Sequence, residues 1–169
     1  MSEDHVKIAV SGSGWIGGGS GSIETALHRL FVSAHDEVMI VAYSVSGSIP
    51  VFFQQISSLL QRGIRVTMLI NRYSDQHLSA RQEIQRLLHL YSHVFRVFSF
   101  VPPDHNADLH AKLLIVDRQY ALVGSANLSL RGLKDNHELD VIVEGGVANE
   151  IARKVDQLIV SPCVVQIMG

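Results

Sequence analysis

Cysteine and long apolar runs are scarce in this sequence, and each scarcity excludes a class of protein. A single cysteine, Cys163, excludes an intrachain disulfide and a cysteine-rich metal site, and we expect it to be a small apolar filler. No run approaches about eighteen uninterrupted apolar residues, so we predict no transmembrane helix. The acidic start, MSEDHVKIAV, lacks the basic segment and apolar stretch of a signal peptide. We therefore expect a cytoplasmic protein with no membrane partner.

Positive charge is not in excess either. The 14 lysines and arginines are outnumbered by 16 aspartates and glutamates, for a net charge of -2. This balance argues against a nucleic-acid binder that is basic over its whole surface, but it leaves room for a local basic groove. Residues 61–96 hold only two acidic residues, Asp75 and Glu83, and six arginines, which are Arg62, Arg65, Arg72, Arg81, Arg86 and Arg96. A solvated face and a phosphate-facing surface both explain this cluster of arginines.

Length and patterning predict one α/β domain over residues 1–169. A chain of this size buries about two-thirds of its unfolded surface, and an apolar share of 47% argues against disorder. Strands and helices alternate early in the chain, which implies parallel strands, whereas 109–117 and 120–126 are predicted to form an antiparallel pair. We therefore predict an α/β/α sandwich with a mixed, mostly parallel sheet, a glycine-rich stretch at 1–21 and a tail at 161–169.

Capping residues and apolar periodicity predict the element boundaries. Strands are predicted at 5–10, 37–43, 64–70, 93–100, 109–117, 120–126 and 138–144. Ser22 and Pro50 begin two helices, and Gly63 ends the second. Ser74 or Asp75 begins a third helix, whose predicted buried side is Leu78, Ile84, Leu87, Leu88 and Tyr91. A short helix over 127–134 and a C-terminal helix from about 147 complete the prediction.

Two cationic side chains interrupt the otherwise apolar run LHAKLLIVD, at His110 and Lys112. Leucine, isoleucine and valine dominate the run and a turn follows it, which predicts a β-strand over 109–117. Side chains alternate along a strand, so His110 and Lys112 share a face, roughly 7 Å apart, while Asp117 faces the other way. We therefore expect the first two residues to act together and Asp117 to have a different role.

Three glycines, Gly12, Gly14 and Gly17, follow the first predicted strand in the pattern of a dinucleotide-binding loop. That site needs an acidic residue at the end of the second strand to bind a ribose, and the second strand here ends in the letters AYS. The next helix also begins well past the third glycine. We therefore predict a mobile loop instead, although its bare amides are able to approach a phosphate.

Asp104, His105, Asp108 and His110 are residue types that bind zinc or manganese. The ammonium of Lys112 would repel a cation bound at His110, however, and residues 104 and 105 follow two prolines in a predicted solvated loop. We therefore predict no metal site and no cofactor.

The most informative pattern joins three segments: His110-Ala-Lys112-x-x-x-x-Asp117, Gly124-Ser125-Ala-Asn127 and Asn136-His137-Glu138. Each segment has a structural explanation when it is taken alone. A histidine on a strand is usually a satisfied core residue, an asparagine often caps a helix, and a glutamate often ends a strand. Their occurrence together, in this order and spacing, is far less expected by chance.

This combination resembles the phospholipase D superfamily, whose signature is HxKxxxxD followed by GSxN. AYSVS at 42–46, then a helix, then RGIRVTMLI, resembles the first half of that family's domain, and residues 109–143 resemble its second half. The resemblance covers roughly residues 22–160. The chain is most similar to the small, single-signature bacterial endonucleases, and ANLSLRGLKDNHEL also resembles stand-alone phospholipase D-like proteins found beside bacterial helicases and restriction systems.

The resemblance implies a metal-independent phosphodiesterase that acts through a phosphohistidine intermediate. It makes His110 the nucleophile in one copy and the general acid or base in the other. Lys112 and Asn127 would bind the phosphate, and Glu138 would orient the histidine. Ser125 is expected to line the pocket, with Ser44 and Arg72 as further substrate-binding residues and Asp117 as a structural one.

The expected partners follow from the same resemblance. The reaction needs two histidines and the chain holds one signature, so we expect a two-fold homodimer across the active site, with DNA or RNA as the substrate. Two alternatives stay open. One is a phospholipase or cardiolipin hydrolase, which the lack of a basic amphipathic helix disfavours. The other is a partner-dependent subunit of a helicase- or translocase-containing bacterial defence complex.

Overall fold

A computed structural model of the chain describes residues 5–15, 21–46, 50–103 and 106–169. Nine strands form one sheet: β1 (His5–Ser11), β2 (Gly21–Ser22), β3 (Glu37–Ala42), β4 (Arg65–Asn71), β5 (Phe95–Phe100), β6 (Leu113–Val116), β7 (Tyr120–Gly124), β8 (Glu138–Glu144) and β9 (Val164–Ile167). The α-helices are α1 (Ile23–Ser33), α2 (Pro50–Gln61), α3 (Leu78–Tyr91) and α4 (Gly146–Ile159). Shorter turns lie at Ser13–Trp15, Tyr73–Asp75 and Arg131–Asp135.

The strand order is β2-β1-β8-β7-β6-β3-β4-β5-β9, which confirms a mixed sheet. Six strands run in one direction, and β6, β8 and β9 run in the other. Parallel neighbours are nevertheless fewer than predicted, because only β1–β2, β3–β4 and β4–β5 are parallel pairs and the other five are antiparallel. Parallel neighbours need a long crossover connection, whereas the tight turn between β6 and β7 allows only an antiparallel pair.

Helices cover both faces of the sheet, as an α/β/α sandwich requires. Helices α1, α2 and α3 pack on one face, where Ile40, Met68 and Ile84 belong to a large apolar cluster. Helix α4 packs on the other face, where Met39 and Ala152 belong to a second cluster. The neighbours Met39 and Ile40 enter opposite clusters because successive side chains alternate along a strand. Coverage on both faces explains why β3 is apolar almost throughout.

Local capping chemistry sets the ends of the first two helices as predicted. The Ser22 hydroxyl accepts a hydrogen bond from the Thr25 amide at 3.1 Å and begins α1. Pro50 is the first residue of α2, and Gly63 takes a left-handed φ of 77° just after that helix ends. No α-helix in the described ranges is both long and apolar enough to cross a membrane.

The third helix begins later than predicted. Ser74 and Asp75 belong to a 3-10 turn, and α3 starts at Leu78. Leu78, which we expected to be buried, is 62% exposed, whereas Ile84, Leu87 and Leu88 are buried as predicted. Tyr91, which was also predicted on this side, is only partly buried, and Ala80 belongs to the buried side instead of Leu78.

Strand β6 is shorter than the predicted strand over 109–117, so His110 and Lys112 precede it. The amide of Leu109 donates to the Asn71 side chain at 2.9 Å instead of to a neighbouring strand. A long-range side-chain contact therefore replaces the strand ladder at this position.

The predicted helix over 127–134 is reduced to a π-helical turn over Arg131–Asp135. Leu128 forms an isolated bridge with Val45, which holds the preceding backbone in an extended form. At the C-terminus, residues 161–169 are not a free tail, because β9 pairs with β5. Cys163 packs against the second apolar cluster, where a small apolar filler was expected.

Candidate active site

The predicted site residues meet at one edge of the sheet. Strands β3, β4 and β7 end at this edge, and β6 and β8 begin there. Register proves the alignment, since Val41 lies opposite Leu113 and Gly124 opposite Asp140. Residues at these strand ends or just beyond them are consequently close in space although distant in sequence. They are Tyr43, Ser44, His110, Lys112, Ser125 and Glu138.

His110 and Lys112 are in direct contact at this edge. The Lys112 Nζ lies 3.1 Å from the His110 Nδ1 and donates to the His110 carbonyl oxygen at 2.8 Å. The ring of Tyr43 lies beneath both, with centroid distances of 4.6 Å to the His110 ring and 5.4 Å to the Lys112 Nζ. The second distance is within the range of a cation–π interaction. Sequence analysis missed Tyr43, although it sits in the AYSVS segment that resembles the family.

The surroundings of Lys112 are apolar on one side and acidic on the other. It lines a small cavity together with Leu114, Ala126 and Asp140. Burial lowers the pKa of Lys112 below its ordinary value, against the opposing charges of Glu138 and Asp140. The lysine is thus partly desolvated, which strengthens its attraction for an anion.

Asp140 is a buried acid that holds the GSxN segment in place. Its Oδ1 accepts hydrogen bonds from the backbone amides of Ser125 at 2.9 Å and Ala126 at 3.3 Å. Gly124 lies so close to this carboxylate that a side chain at 124 would collide with it. Burial raises the pKa of Asp140. We did not predict this residue, but an acid within the strand ELDVIV, with the same parity as Glu138, is the signal that would have found it.

Glu138 is bonded to Ser125 and Asn136. Its Oε2 accepts from the Ser125 hydroxyl, and its Oε1 accepts from the side-chain Nδ2 of Asn136 at 3.1 Å. The Ser125 hydroxyl in turn accepts from the Leu139 amide at 3.3 Å. Within the described part of the chain, neither oxygen of Glu138 bonds to His110, so the predicted orienting contact is not made inside one chain.

Asn127 is half-buried, and its Oδ1 is buried without a hydrogen-bond partner among the described residues. Gly132 packs against its backbone, where a side chain at 132 would lie 2.9 Å from the Asn127 nitrogen. The helix predicted over 127–134 begins only at Arg131, so Asn127 is not its capping residue. A buried polar atom without a partner is uncommon in folded proteins and is more frequent at functional sites.

A polar clamp fixes the backbone just before His110. Asn71, at the end of β4, is 4% exposed and uses both ends of its amide. Its Nδ2 donates to Asp108 Oδ1 at 3.2 Å, while its Oδ1 accepts from the Leu109 amide. Arg72 donates to the same Asp108 oxygen at 2.9 Å. Hydrogen bonds from Arg72 and then Asn71 hold the pKa of Asp108 below its usual range.

The two further residues predicted to bind substrate, Arg72 and Ser44, have different surroundings. Arg72 has a left-handed φ of 40° and pairs with Asp108, so part of its charge is already neutralised. Ser44 is half-buried and lies between Tyr43 and Val45. Gln76 holds this segment, since its Oε1 accepts from the Val45 amide at 2.8 Å and its Nε2 donates to the Tyr43 carbonyl at 3.1 Å.

Asp117 lies at the opposite end of β6 from His110. It has a left-handed φ of 51°, and its carboxylate accepts from the amides of His35, Asp36 and Glu37, each at 2.9 Å. Burial opposes ionisation, but these three amides outweigh it and lower the pKa of Asp117.

The four candidate metal ligands do not form a cluster among the described residues. Asp104 and His105 lie outside the described residues, and Asp108 is paired with Arg72. No group of three or more histidine, cysteine, aspartate or glutamate side chains in the described ranges has the arrangement of a metal site.

Solved structures share this fold. The structure of Nuc, a phospholipase D family member from Salmonella typhimurium, has a TM-score of 0.74 and 18% identity, covering 99% of this chain and 100% of that one. NucT from Helicobacter pylori has a TM-score of 0.71 and 22% identity, covering 96% and 99% of the two chains.

Sequence comparisons identify the family. Cardiolipin synthase A of Buchnera aphidicola subsp. Acyrthosiphon pisum is 27% identical over 139 residues, which are 82% of this chain and 27% of the relative. The DISARM protein DrmC of Bacillus paralicheniformis is 26% identical over 121 residues, 70% of this chain and 48% of that protein. The chain thus spans less than half of these curated relatives. Residues 27–159 match the family model described as cardiolipin synthase, PLD-like domain, and the chain therefore belongs to the phospholipase D superfamily.

Proposed function

We propose that the chain is a metal-independent phosphodiesterase that cleaves nucleic acid through a phosphohistidine intermediate. The observation that carries the proposal is the 3.1 Å contact between Lys112 Nζ and His110 Nδ1. A neutral imidazole attacks an anionic phosphodiester without the repulsion that an anionic nucleophile meets. The adjacent ammonium supplies the positive charge that the non-bridging oxygens need.

The reaction consists of two displacements at phosphorus. An imidazole nitrogen of His110 bonds to phosphorus as the bond to the leaving oxygen breaks, and that oxygen takes a proton from a second imidazole. The second imidazole, now neutral, accepts a proton from water, whose oxygen attacks phosphorus and breaks the P–N bond. Lys112 and Asn127 stabilise the charge on the non-bridging oxygens in both steps.

A second copy of the chain supplies the second imidazole in this proposal. One chain holds one His110–Lys112 pair, and a two-fold axis through the site would bring two such pairs together. In support, the Glu138 carboxylate contacts Ser125 and Asn136, and within the described ranges it makes no hydrogen bond to His110 of its own chain. We expect Glu138 to orient the imidazole of the second copy instead.

Nucleic acid is the proposed substrate because the signature segments most resemble those of the small, single-signature bacterial endonucleases. The shared fold of Nuc and NucT is in keeping with that resemblance. A lipid phosphodiester is the second candidate, which the cardiolipin synthase relatives favour. The similarity to DrmC favours a further possibility, that the activity is used within a defence complex.

Digestion of labelled single- and double-stranded DNA and RNA in excess EDTA tests the proposal. We expect the wild type to cleave at least one of these nucleic acids in EDTA. We expect the His110→Ala variant to cleave none of them. Loss of cleavage in EDTA, with rescue by a divalent cation, would overturn the phosphohistidine mechanism. Hydrolysis of cardiolipin vesicles without any cleavage of nucleic acid would make a lipid the substrate.

A further inference from the structure

The turn that follows β1 is clamped to the segment that leads into Glu138. The Gly12 amide donates to the Lys134 carbonyl at 3.2 Å, and the Gly14 amide donates to His137 Nε2 at 3.0 Å. The second bond requires an unprotonated Nε2, so a neutral His137 carries its proton on Nδ1. The turn over Ser13–Trp15 is consequently held by the residue immediately before Glu138.

The glycines in this turn are explained by the same histidine. A side chain at Gly12, which has a φ of 90°, would lie 2.9 Å from His137 Cγ, and one at Gly14 would lie 2.7 Å from Nε2. Both positions therefore need glycine to accommodate one imidazole ring. The glycine pattern that suggested a dinucleotide site thus has a packing function at Gly12 and Gly14, while Gly17 lies outside the described residues.

The clamped turn lies at the edge of the sheet that holds the site. Ser11 is opposite Glu138 in the β1–β8 register, so the turn begins beside the site acid. Trp15 ends the turn and is 41% exposed. Tryptophan is usually well buried, and here it is an exposed flat ring on a backbone that two hydrogen bonds hold in place.

We propose that Trp15 stacks on a base of a single-stranded nucleic acid bound in the active site. The inference rests on the proposed function and adds a contact to the base, whereas His110 and Lys112 contact only the phosphate. Every base has a flat face, and stacking on an aromatic side chain is independent of sequence. Bases in a duplex already stack on each other, so the contact selects unpaired strands.

A lipid surface is a less suitable partner for this tryptophan. The turn places Trp15 near His137 and Glu138, whose polar and charged groups would lose water on insertion into a membrane interface. A base of a nucleic acid leaves these groups in contact with solvent and phosphate.

Fluorescence tests the contact directly, because Trp15 is the one tryptophan of the chain. The full chain with His110→Ala, which prevents turnover, would be titrated with oligothymidylate and with an abasic deoxyribose-phosphate chain of the same length. We expect oligothymidylate to quench the emission and the abasic chain to leave it unchanged. Equal responses to both, or a blue shift with cardiolipin vesicles alone, would overturn the proposal.

Affinity gives a second, independent measurement. In the same background, Trp15→Ala should weaken binding of oligothymidylate by about tenfold, the scale of one stacked base, and Trp15→Phe should restore part of the loss. The matched control is Val160→Ala, which removes another exposed apolar side chain, 83% exposed at the end of α4. An unchanged affinity in a folded Trp15→Ala variant would overturn the stacking contact.

The two proposals fail separately. Cleavage of DNA or RNA by the wild type, combined with fluorescence that does not respond to bases, would overturn the stacking contact and leave the nuclease proposal standing. Base-dependent quenching in a protein that cleaves no nucleic acid would support the contact and overturn the proposed reaction.

Discussion

The ammonium nitrogen of Lys112 lies 3.1 Å from Nδ1 of His110. An ammonium only donates hydrogen bonds, so Nδ1 accepts and the proton of a neutral imidazole resides on Nε2. Before a phosphate binds, Lys112 therefore engages the lone pair of Nδ1 while Nε2 carries the proton. A phosphate that attracts Lys112 would free Nδ1 to take the proton and leave the Nε2 lone pair available.

The first prediction concerns this tautomer. In histidine-labelled protein, nitrogen NMR should place neutral His110 in the Nε2–H form, with the His110→Ala spectrum identifying the signal. Lys112→Met keeps the length of the side chain but removes the donor, so the preference should disappear. Persistence of the Nε2–H form in the methionine variant would contradict Lys112 as its cause.

The second prediction concerns turnover. His110→Ala should lose essentially all activity while it remains folded. Lys112→Ala and Asn127→Ala should each lower kcat by at least about two orders of magnitude, the scale of one removed oxyanion donor. Glu138→Gln should be milder, since its proposed role is to orient another side chain.

The matched control for these variants is His89→Ala, which removes an exposed histidine from α3. It should leave kcat unchanged, with circular dichroism confirming that all the variants fold. Near-normal activity in His110→Ala would place the nucleophile elsewhere in the chain.

The third prediction concerns the second copy of the chain. If both histidines of a dimer are needed, random exchange of equal amounts of wild type and His110→Ala leaves about one quarter of dimers active, against one half for simple dilution. A mixture of His110→Ala and Lys112→Ala should recover no activity, because the shared site of the combined dimer still holds only one His110. Activity that falls only by dilution, under confirmed subunit exchange, would mean that each chain works alone.

The fourth prediction concerns the alkaline limb of the pH–rate profile. Burial lowers the pKa of Lys112, and the negative charges of Glu138 and Asp140 oppose that shift. The ammonium form binds the phosphate, so activity should fall as pH rises through this lowered pKa, below the value of about 10.4 for a free lysine. Asp140→Asn removes one opposing charge, and the limb should move to lower pH. A limb that stays in place in a folded Asp140→Asn variant would contradict this coupling.

The fifth prediction concerns stability. The Asp117 carboxylate accepts from three backbone amides, and its pKa is lowered in the fold. A carboxyl group with a lowered folded pKa adds stability above its unfolded pKa of about 3.9, and that stability is lost as pH falls through the folded value. Asp117→Ala should therefore lower the free energy of unfolding by about 1–3 kcal/mol near neutral pH.

Urea unfolding at neutral pH and in acid measures this effect. The difference between Asp117→Ala and the wild type should shrink in acid, where the wild-type carboxyl is protonated too. A difference that is the same at both pH values would show that the charge of Asp117 is not its cause. Activity per folded molecule should be unaffected, because Asp117 lies at the far end of β6 from His110.

Much of the fold followed from residue order, because the responsible chemistry is local. Ser22, Pro50 and Gly63 set helix ends through their own hydrogen bonding and backbone preferences, and these predictions are confirmed. The sequence-based predictions fail where a distant contact competes with local preference. The Leu109 amide donates to the Asn71 side chain and not to a neighbouring strand, and the predicted tail pairs with β5 as strand β9.

The sequence by itself determined which residue types the chain offers for chemistry: His110 and Lys112 two apart, then Ser125, Asn127 and Glu138. Only the tertiary structure decided what surrounds them, because strand order brings β3, β4 and β8 to one edge. That order adds Tyr43 beneath the imidazole and Asp140 behind the lysine. No local pattern specifies such contacts, since they depend on which strands are neighbours across many intervening residues.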